Sequence, residues 1–312
     1  MTGKRNLVHM AFLFLLPLIV AWFGLSLLTA TGLVLLMLLW RWMISLSTFI
    51  APEKVPALVL ESISASHFVE KVRWNMDRAG FDYAEEASGG TLGAYFAGRT
   101  VPRLKIRTGA VRSQIGNSPE ILRFLWGANN GTEEFDVSHL QPTPERLALE
   151  KRLDRYGSNL QVWIYNHILN DRDLTLHLWG ANSPTIAGWQ RIALRILFPV
   201  LRFLIRRSFR ITPENVEKAN HHIEDLLTEV EAGLSDGRES ILGGEALNFT
   251  DFGFAAMTGA WLQPPAYGGG KADYVLVERD NLPDAMRADV ERWQEDYPRT
   301  VAWVEHLYEQ ER

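Results

Sequence analysis

Three serines at alternate positions, Ser62, Ser64 and Ser66, close a short apolar run and stand directly before a helical pattern. A serine hydroxyl at a helix start, with the first amides that helix leaves unbonded, favours a thiolate over a thiol aimed at it, through charge-assisted hydrogen bonds and the positive helix end. Further along, Val101-Pro102 enters a second extended segment. A proline there cannot donate to a ladder, so its neighbour's amide and carbonyl face outward and suit a peptide-like ligand. Asn117-Ser118-Pro119 then opens a helix whose free amides can receive a carboxylate. Each piece also has a purely structural reading, for serine and asparagine are ordinary helix caps.

Several chemistries are excluded. The 312-residue chain has no cysteine, hence no disulfide framework, no thiolate metal site and no cysteine nucleophile. A formal charge of -5 argues against a nucleic-acid binder, which needs an excess of Lys and Arg over the chain. His221-His222 sit at adjacent helical positions whose side chains diverge by about 100°, so no metal site is expected. Gly268-Gly269-Gly270 lacks the Lys-Ser/Thr of a phosphate loop and reads as a surface loop.

The elements that must hold the three pieces follow from pattern. Ala57 to Glu61 reads as a buried strand ended by a serine-rich turn. From Ser66 to Ala79, Val69, Val72 and Met76 share one helical face with Glu70, Lys71 and Arg73 elsewhere, and Gly80 suits a left-handed cap. Phe81 to Glu85 then completes a parallel βαβ opening. Val101 to Ile106 and Gly109 to Ile115 read as a hairpin, and Ser118 as the N-cap of a helix burying Leu122, Leu125 and Trp126. Beyond Gly131 the spacing is helical: a run from Thr143 broken at Gly157-Ser158, then Ala187–Phe209, Pro213–Leu234 and Leu282–Glu309. Asn248-Phe249-Thr250-Asp251 is a capping box. In the stretch from Trp189 to Arg210 six arginines alternate with large apolar residues. It reads either as a buried helix with a charged outer face or as a basic amphipathic surface lying on anionic headgroups.

Leu7 to Trp40 is almost wholly apolar and reads as a membrane element. Thr29-Ala30-Thr31-Gly32 supplies a permissive break, giving an expected helical hairpin over roughly 9–28 and 33–50. Lys4, Arg5 and Lys54 at the outer ends place the soluble body in the cytoplasm, whereas a single span would reverse it. The expected organisation is residues 1–53 as membrane anchor, 54–130 as an α/β domain and 131–312 as an all-helical domain.

This order of strand, helix, strand, proline-entered hairpin and helix, with Ser66, Val101-Pro102 and Asn117-Ser118 at its joints, resembles the soluble glutathione transferase family from about residue 57 onward. In that family a Ser or Cys lies at the start of the first helix, Val-Pro with a cis bond precedes the third strand, and an acidic or amide residue plus Ser opens the third helix. The resemblance implies a thioredoxin-like domain followed by an all-helical domain, and glutathione as co-substrate. It implies Ser66 as the residue steadying the thiolate, with Ser62 and Ser64 as alternatives. Val101, Pro102, Asn117 and Ser118 would bind the tripeptide and Phe68 would pack near it, with Arg99, Arg103 and Lys105 offered to its glycyl carboxylate. The implied activity is transfer of glutathione to a small hydrophobic electrophile, with reduction, dehalogenation or ether cleavage as variants. A homodimer is a further implication. The alternative is a protein of the same fold that binds or scaffolds at a membrane without catalysis.

Overall fold

The structure is a computed structural model that describes residues 15, 19, 22–24, 26–50, 57–88, 92, 101–108, 111–244 and 246–312. The chain divides into two compact units, residues 1–57 with 106–113, and residues 58–105 with 114–312.

In the first unit, helix α1 spans Leu27–Ile50. It runs straight through Thr29-Ala30-Thr31-Gly32, where the sequence suggested a break. The Thr31 hydroxyl donates to the Leu27 carbonyl at 2.8 Å, so this polar residue is satisfied inside the helix. The chain turns earlier, at Gly24, whose φ of 85° needs a residue without a Cβ. Ser26 then starts α1 by accepting from the Thr29 amide at 3.3 Å. Among the described residues no helix is long and apolar enough to cross a membrane. Most of the expected first hairpin helix, 9–28, lies outside them.

After α1 the chain follows a thioredoxin-like arrangement: β1 (Ala57–Ser62), α2 (His67–Arg78), β2 (Tyr83–Ala87), β3 (Arg103–Thr108), β4 (Val111–Gly116) and α3 (Ser118–Asn129). The sheet order is β2-β1-β3-β4. Strands β1 and β2 are parallel, in register from Leu58 opposite Tyr83 to Ser62 opposite Ala87. Strand β2 begins two residues later than the apolar pattern implied, because Phe81 is spent on the end of α2. Gly80, at φ 76°, and Phe81 donate back to Asp77 and Met76, and the Phe81 ring stacks on Phe135 at 4.4 Å.

An all-helical part follows: α4 (Pro144–Ile168), α5 (Arg172–Leu178), α6 (Gly188–Ser208), α7 (Pro213–Gly233), α8 (Phe249–Leu262), α9 (Asp284–Asp296) and α10 (Pro298–Gln310). Helix α4 is unbroken at Gly157-Ser158. The glycine is needed for packing instead, since a Cβ there would lie 2.6 Å from Met257 Sδ and 2.9 Å from Phe68 Cζ. The run from Leu282 to Glu309 is two helices, because Pro298 disfavours helical geometry at Tyr297, which sits at φ -126°, ψ 54°. The capping box at the head of α8 is complete: Asn248 Oδ1 accepts from the Thr250 amide at 3.1 Å, and Asp251 accepts from the Asn248 amide at 2.8 Å. Asp251 also accepts from the Ile241 amide at 2.8 Å, pinning the preceding loop. The main core joins Trp74 of α2 to Tyr156, Trp163, Trp261, Trp293 and Tyr308 of the helical part, and a second core under α6 gathers Trp179, Leu194, Phe198, Leu201 and Ile205.

Helix α2 is not the half-exposed helix its pattern suggested. Glu70, Lys71 and Arg73 are fully buried with the apolar residues, because α2 packs against both α8 and α3. Their charges are answered in place: Arg73 pairs with Glu70 at 2.8 Å and Glu85 at 2.7 Å, Lys71 with Glu150 at 2.9 Å and Asp154 at 3.1 Å, and Arg312 with Glu70 at 2.8 Å.

Candidate active site

The turn after β1 delivers Ser66 to the head of α2 in extended geometry, φ -75° and ψ 122°. Its carbonyl accepts from the Glu70 amide at 2.9 Å, so it is a true N-cap by backbone, yet its side chain makes no capping bond. The hydroxyl is therefore not spent on the cap, and Ser66 lines a cavity of about 140 Å³. The other two serines differ. Ser62 donates to Glu85 at 2.6 Å and belongs to the sheet, and Ser64 is buried in the turn without lining the cavity.

Val101 shares this cavity with Ser66. Its peptide to Pro102 is cis, and the Pro102 carbonyl accepts from the Asn117 amide at 3.2 Å, which ties the start of β3 to the start of α3. Pro102 itself is buried behind. Asn117, not Ser118, is the N-cap of α3. It lies at φ 74° with an exposed side chain that makes no cap bond. Ser118 is the first helical residue, fully buried, and its hydroxyl has no partner among the described residues. Phe68 does not line the cavity and packs on α4 at Gly157. So Ser66 and Val101 line one space, Pro102 and Asn117 are linked beside it, and Ser118 and Phe68 do not line it. Arg103 bonds Gln114 at 3.0 Å, Lys105 pairs with Glu61 at 3.6 Å and with Glu86, and Arg99 lies outside the described residues.

The opposite wall is helical and mostly apolar. One stripe of α4, Gln161, Ile164, Tyr165 and Ile168, faces the cavity at i, i+3, i+4 and i+7 spacing. Leu178 and Trp179 from the end of α5, and Val275, Leu276 and Val277 from the loop before α9, complete it. That loop is held by two bonds: Gln263 accepts from the Val277 amide at 3.3 Å, and His177 Nε2 donates to the Leu276 carbonyl at 3.0 Å. Tyr267 donates to the Ala65 carbonyl at 3.2 Å and so fixes the turn that carries Ser66. Burial drives the Tyr267 phenol far above its ordinary range, so it remains a neutral donor.

His67 is the cavity residue the sequence reading missed. Its Nε2 donates to the Gly157 carbonyl at 3.0 Å, and burial lowers its pKa to about 4. At neutral pH the imidazole is uncharged, so it brings no positive charge to an anion here, whereas the Ser66 hydroxyl and the α2 amides can steady one. Its signal was its place: it follows Ser66 at the first helical position. The Gln161-Tyr165 pair was likewise visible as i, i+4 neighbours on α4. A cavity of this size, apolar with a few convergent polar groups, is close to one that holds a benzene-sized group.

No family model matches the sequence, and no curated protein matches it. Solved structures do resemble it. A glutathione S-transferase from Methylobacterium radiotolerans in complex with glutathione sulfonate matches at TM-score 0.49 and 15% identity, covering 81% of this chain and 91% of that one. A glutathione S-transferase of Ceriporiopsis subvermispora in complex with glutathione matches at 0.47 and 16%, covering 82% and 97%. FzlA from C. crescentus matches at 0.42 and 12%, covering 80% and 87%.

Proposed function

We propose that the chain is a glutathione-dependent transferase of the serine type, acting on a compact hydrophobic electrophile. The observation that carries this reading is that Ser66, whose hydroxyl is spared from capping α2, lines an apolar cavity that Val101 also lines. In this reading the tripeptide lies along Val101 and Pro102, with Asn117 and Ser118 toward its γ-glutamyl end. Its sulfur meets Ser66 Oγ–H and the first amides of α2, which lower the cost of the thiolate. The thiolate attacks the electrophile held against Ile164, Tyr165 and Trp179, the leaving group departs with the bonding pair, and the thioether forms. Anchoring by the apolar stretch from Leu7 to Trp40, with the body on the cytoplasmic side, belongs to the same proposal and rests on sequence alone.

A second reading, favoured by the sealed Ser118 hydroxyl, keeps the fold for binding and not for catalysis. Immobilised glutathione separates the two. Retention with elution by free glutathione, together with conjugation of a generic aryl halide, supports the enzyme. Ser66→Ala is then expected to keep glutathione affinity while turnover falls about tenfold to a hundredfold, the worth of a hydrogen bond to a charged group. Unchanged turnover removes Ser66 from the chemistry, and no heat on titrating glutathione removes the site.

A further inference from the structure

Helix α6 carries two apolar stripes. Leu194, Phe198, Leu201 and Ile205 are buried in the second core. On the other side Trp189, Ile192, Ile196, Val200 and Phe203 remain 50–70% exposed. At roughly 100° per residue the two sets face nearly opposite ways, so the outer stripe is a continuous apolar face and not a scatter of single residues.

Its surroundings are basic. Arg191, Arg195, Arg202 and Arg206 fall along one flank of the outer stripe, and no Asp or Glu occurs anywhere from 174 to 213, in a chain of net charge -5. Among the described residues Arg195 and Arg202 bond neutral oxygens, of Arg191, Ala181, Asn182 and Asn170. Arg206, Arg207 and Arg210 border a groove with Phe203, Ile211 and Asn215 at the end of the helix and have no carboxylate partner among the described residues. We infer that this face of α6 is a docking surface for an anionic lipid bilayer: the apolar stripe enters the acyl boundary, and the arginines meet lipid phosphates, with Trp189 at the headgroup level.

Charge decides among occupants. A second copy meeting this face by two-fold symmetry would bring a helix with the same arginines and no carboxylate of its own. The apolar N-terminal stretch offers none either, since the first acidic residue of the chain is Glu53. An anionic headgroup layer answers both the stripe and the charge.

Because an apolar N-terminus can by itself hold the chain at a vesicle, the readout is placed on α6. The chain lacks cysteine, so Ile196→Cys in the whole chain takes a single environment-sensitive fluorophore, with Glu291→Cys at an exposed position of α9 as control. On phosphatidylcholine vesicles containing phosphatidylglycerol, the α6 label is expected to shift to the blue and be quenched by brominated lipid, while the α9 label stays in water. At about 1 M salt, where the Debye length is about 3 Å, the effect weakens. Replacing Arg206, Arg207 and Arg210 together by Gln, with the circular dichroism spectrum retained, weakens it on the order of a hundredfold, at about fivefold per arginine. Equal shielding on pure phosphatidylcholine, an aqueous label on anionic vesicles, an unaffected triple variant, or shielding that grows with protein concentration before lipid is added each overturns the inference, the last in favour of a second copy.

Discussion

Helices α2 and α6 both mix charged with large apolar residues and place them in reverse. In α2 the charged residues Glu70, Lys71 and Arg73 lie inside, while in α6 the apolar residues Trp189, Ile196 and Phe203 lie outside. The difference is in what covers each helix. Packing from α8 and α3 closes over α2, so its charges persist only because each finds an opposite charge within about 3 Å. Only one side of α6 is covered by the second core, and its open side is free to be apolar. Periodicity therefore identifies faces, whereas the neighbours decide which face is interior.

The sharpest way to break this contrast is Arg73→Ala. It leaves Glu70 facing Arg312 alone and removes the guanidinium that holds the Glu85 carboxyl below its ordinary range. Removing one partner of a buried pair typically costs about 3–5 kcal/mol, and urea unfolding should show a loss of that size. A loss under about 1 kcal/mol would mean that α2 is far wetter than its packing implies.

How much of this was legible in sequence depends on whether a signal is local. The βαβ opening, Gly80, the capping box at Asn248 and the meeting of Ser66 with Val101 follow from residues acting on their own neighbourhood or from the family resemblance. The errors arose where a distant element intervened. Gly157 reads as a helix break, yet it stays helical because Phe68 and Met257 need its bare Cα. Ser118 reads as a cap, yet Asn117 takes that place when its amide is drawn to Pro102. Beyond its place after Ser66, His67 carries no signal of its own in the sequence, because its burial comes from α4, which supplies the Gly157 carbonyl it meets.

That burial makes the next largest prediction. With an ordinary value of 6.5 and a folded value of about 4, His67 takes up a proton in the unfolded chain before it does so in the folded one. Its contribution is thus fully present above pH 6.5 and is lost as pH falls toward about 4, by about 3 kcal/mol at about 1.4 kcal/mol per pH unit. His139, lowered to about 4 by burial and by Arg78, adds in the same direction. His67→Gln keeps a donor for Gly157 and should flatten denaturation midpoints across this window. An unchanged slope would place the imidazole in water and not under α4.

A smaller effect tests how tightly the wall of the candidate site is packed. A Cβ at Gly259 of α8 would lie 2.5 Å from the Tyr308 hydroxyl and 2.9 Å from the Tyr267 ring, both buried. Alanine gains about 1 kcal/mol of helix propensity but overpacks the core by about 1–3 kcal/mol. A net loss is expected in thermal unfolding, and because Tyr267 fixes the turn at Ala65, the glutathione affinity that the proposed function requires should fall with it.

The smallest effect belongs to α6 and completes the contrast. Ile196→Gln and Phe203→Gln remove apolar side chains from a surface that no described residue covers, so no cavity forms and no buried group loses a partner. Stability in the absence of lipid should change by no more than about 0.5 kcal/mol, against several for Arg73→Ala, although by composition the α6 substitutions look the harsher. If they instead cost about 2 kcal/mol or more in dilute solution, the outer stripe is already covered by part of the protein itself, and α6 would be a second fully buried helix like α2.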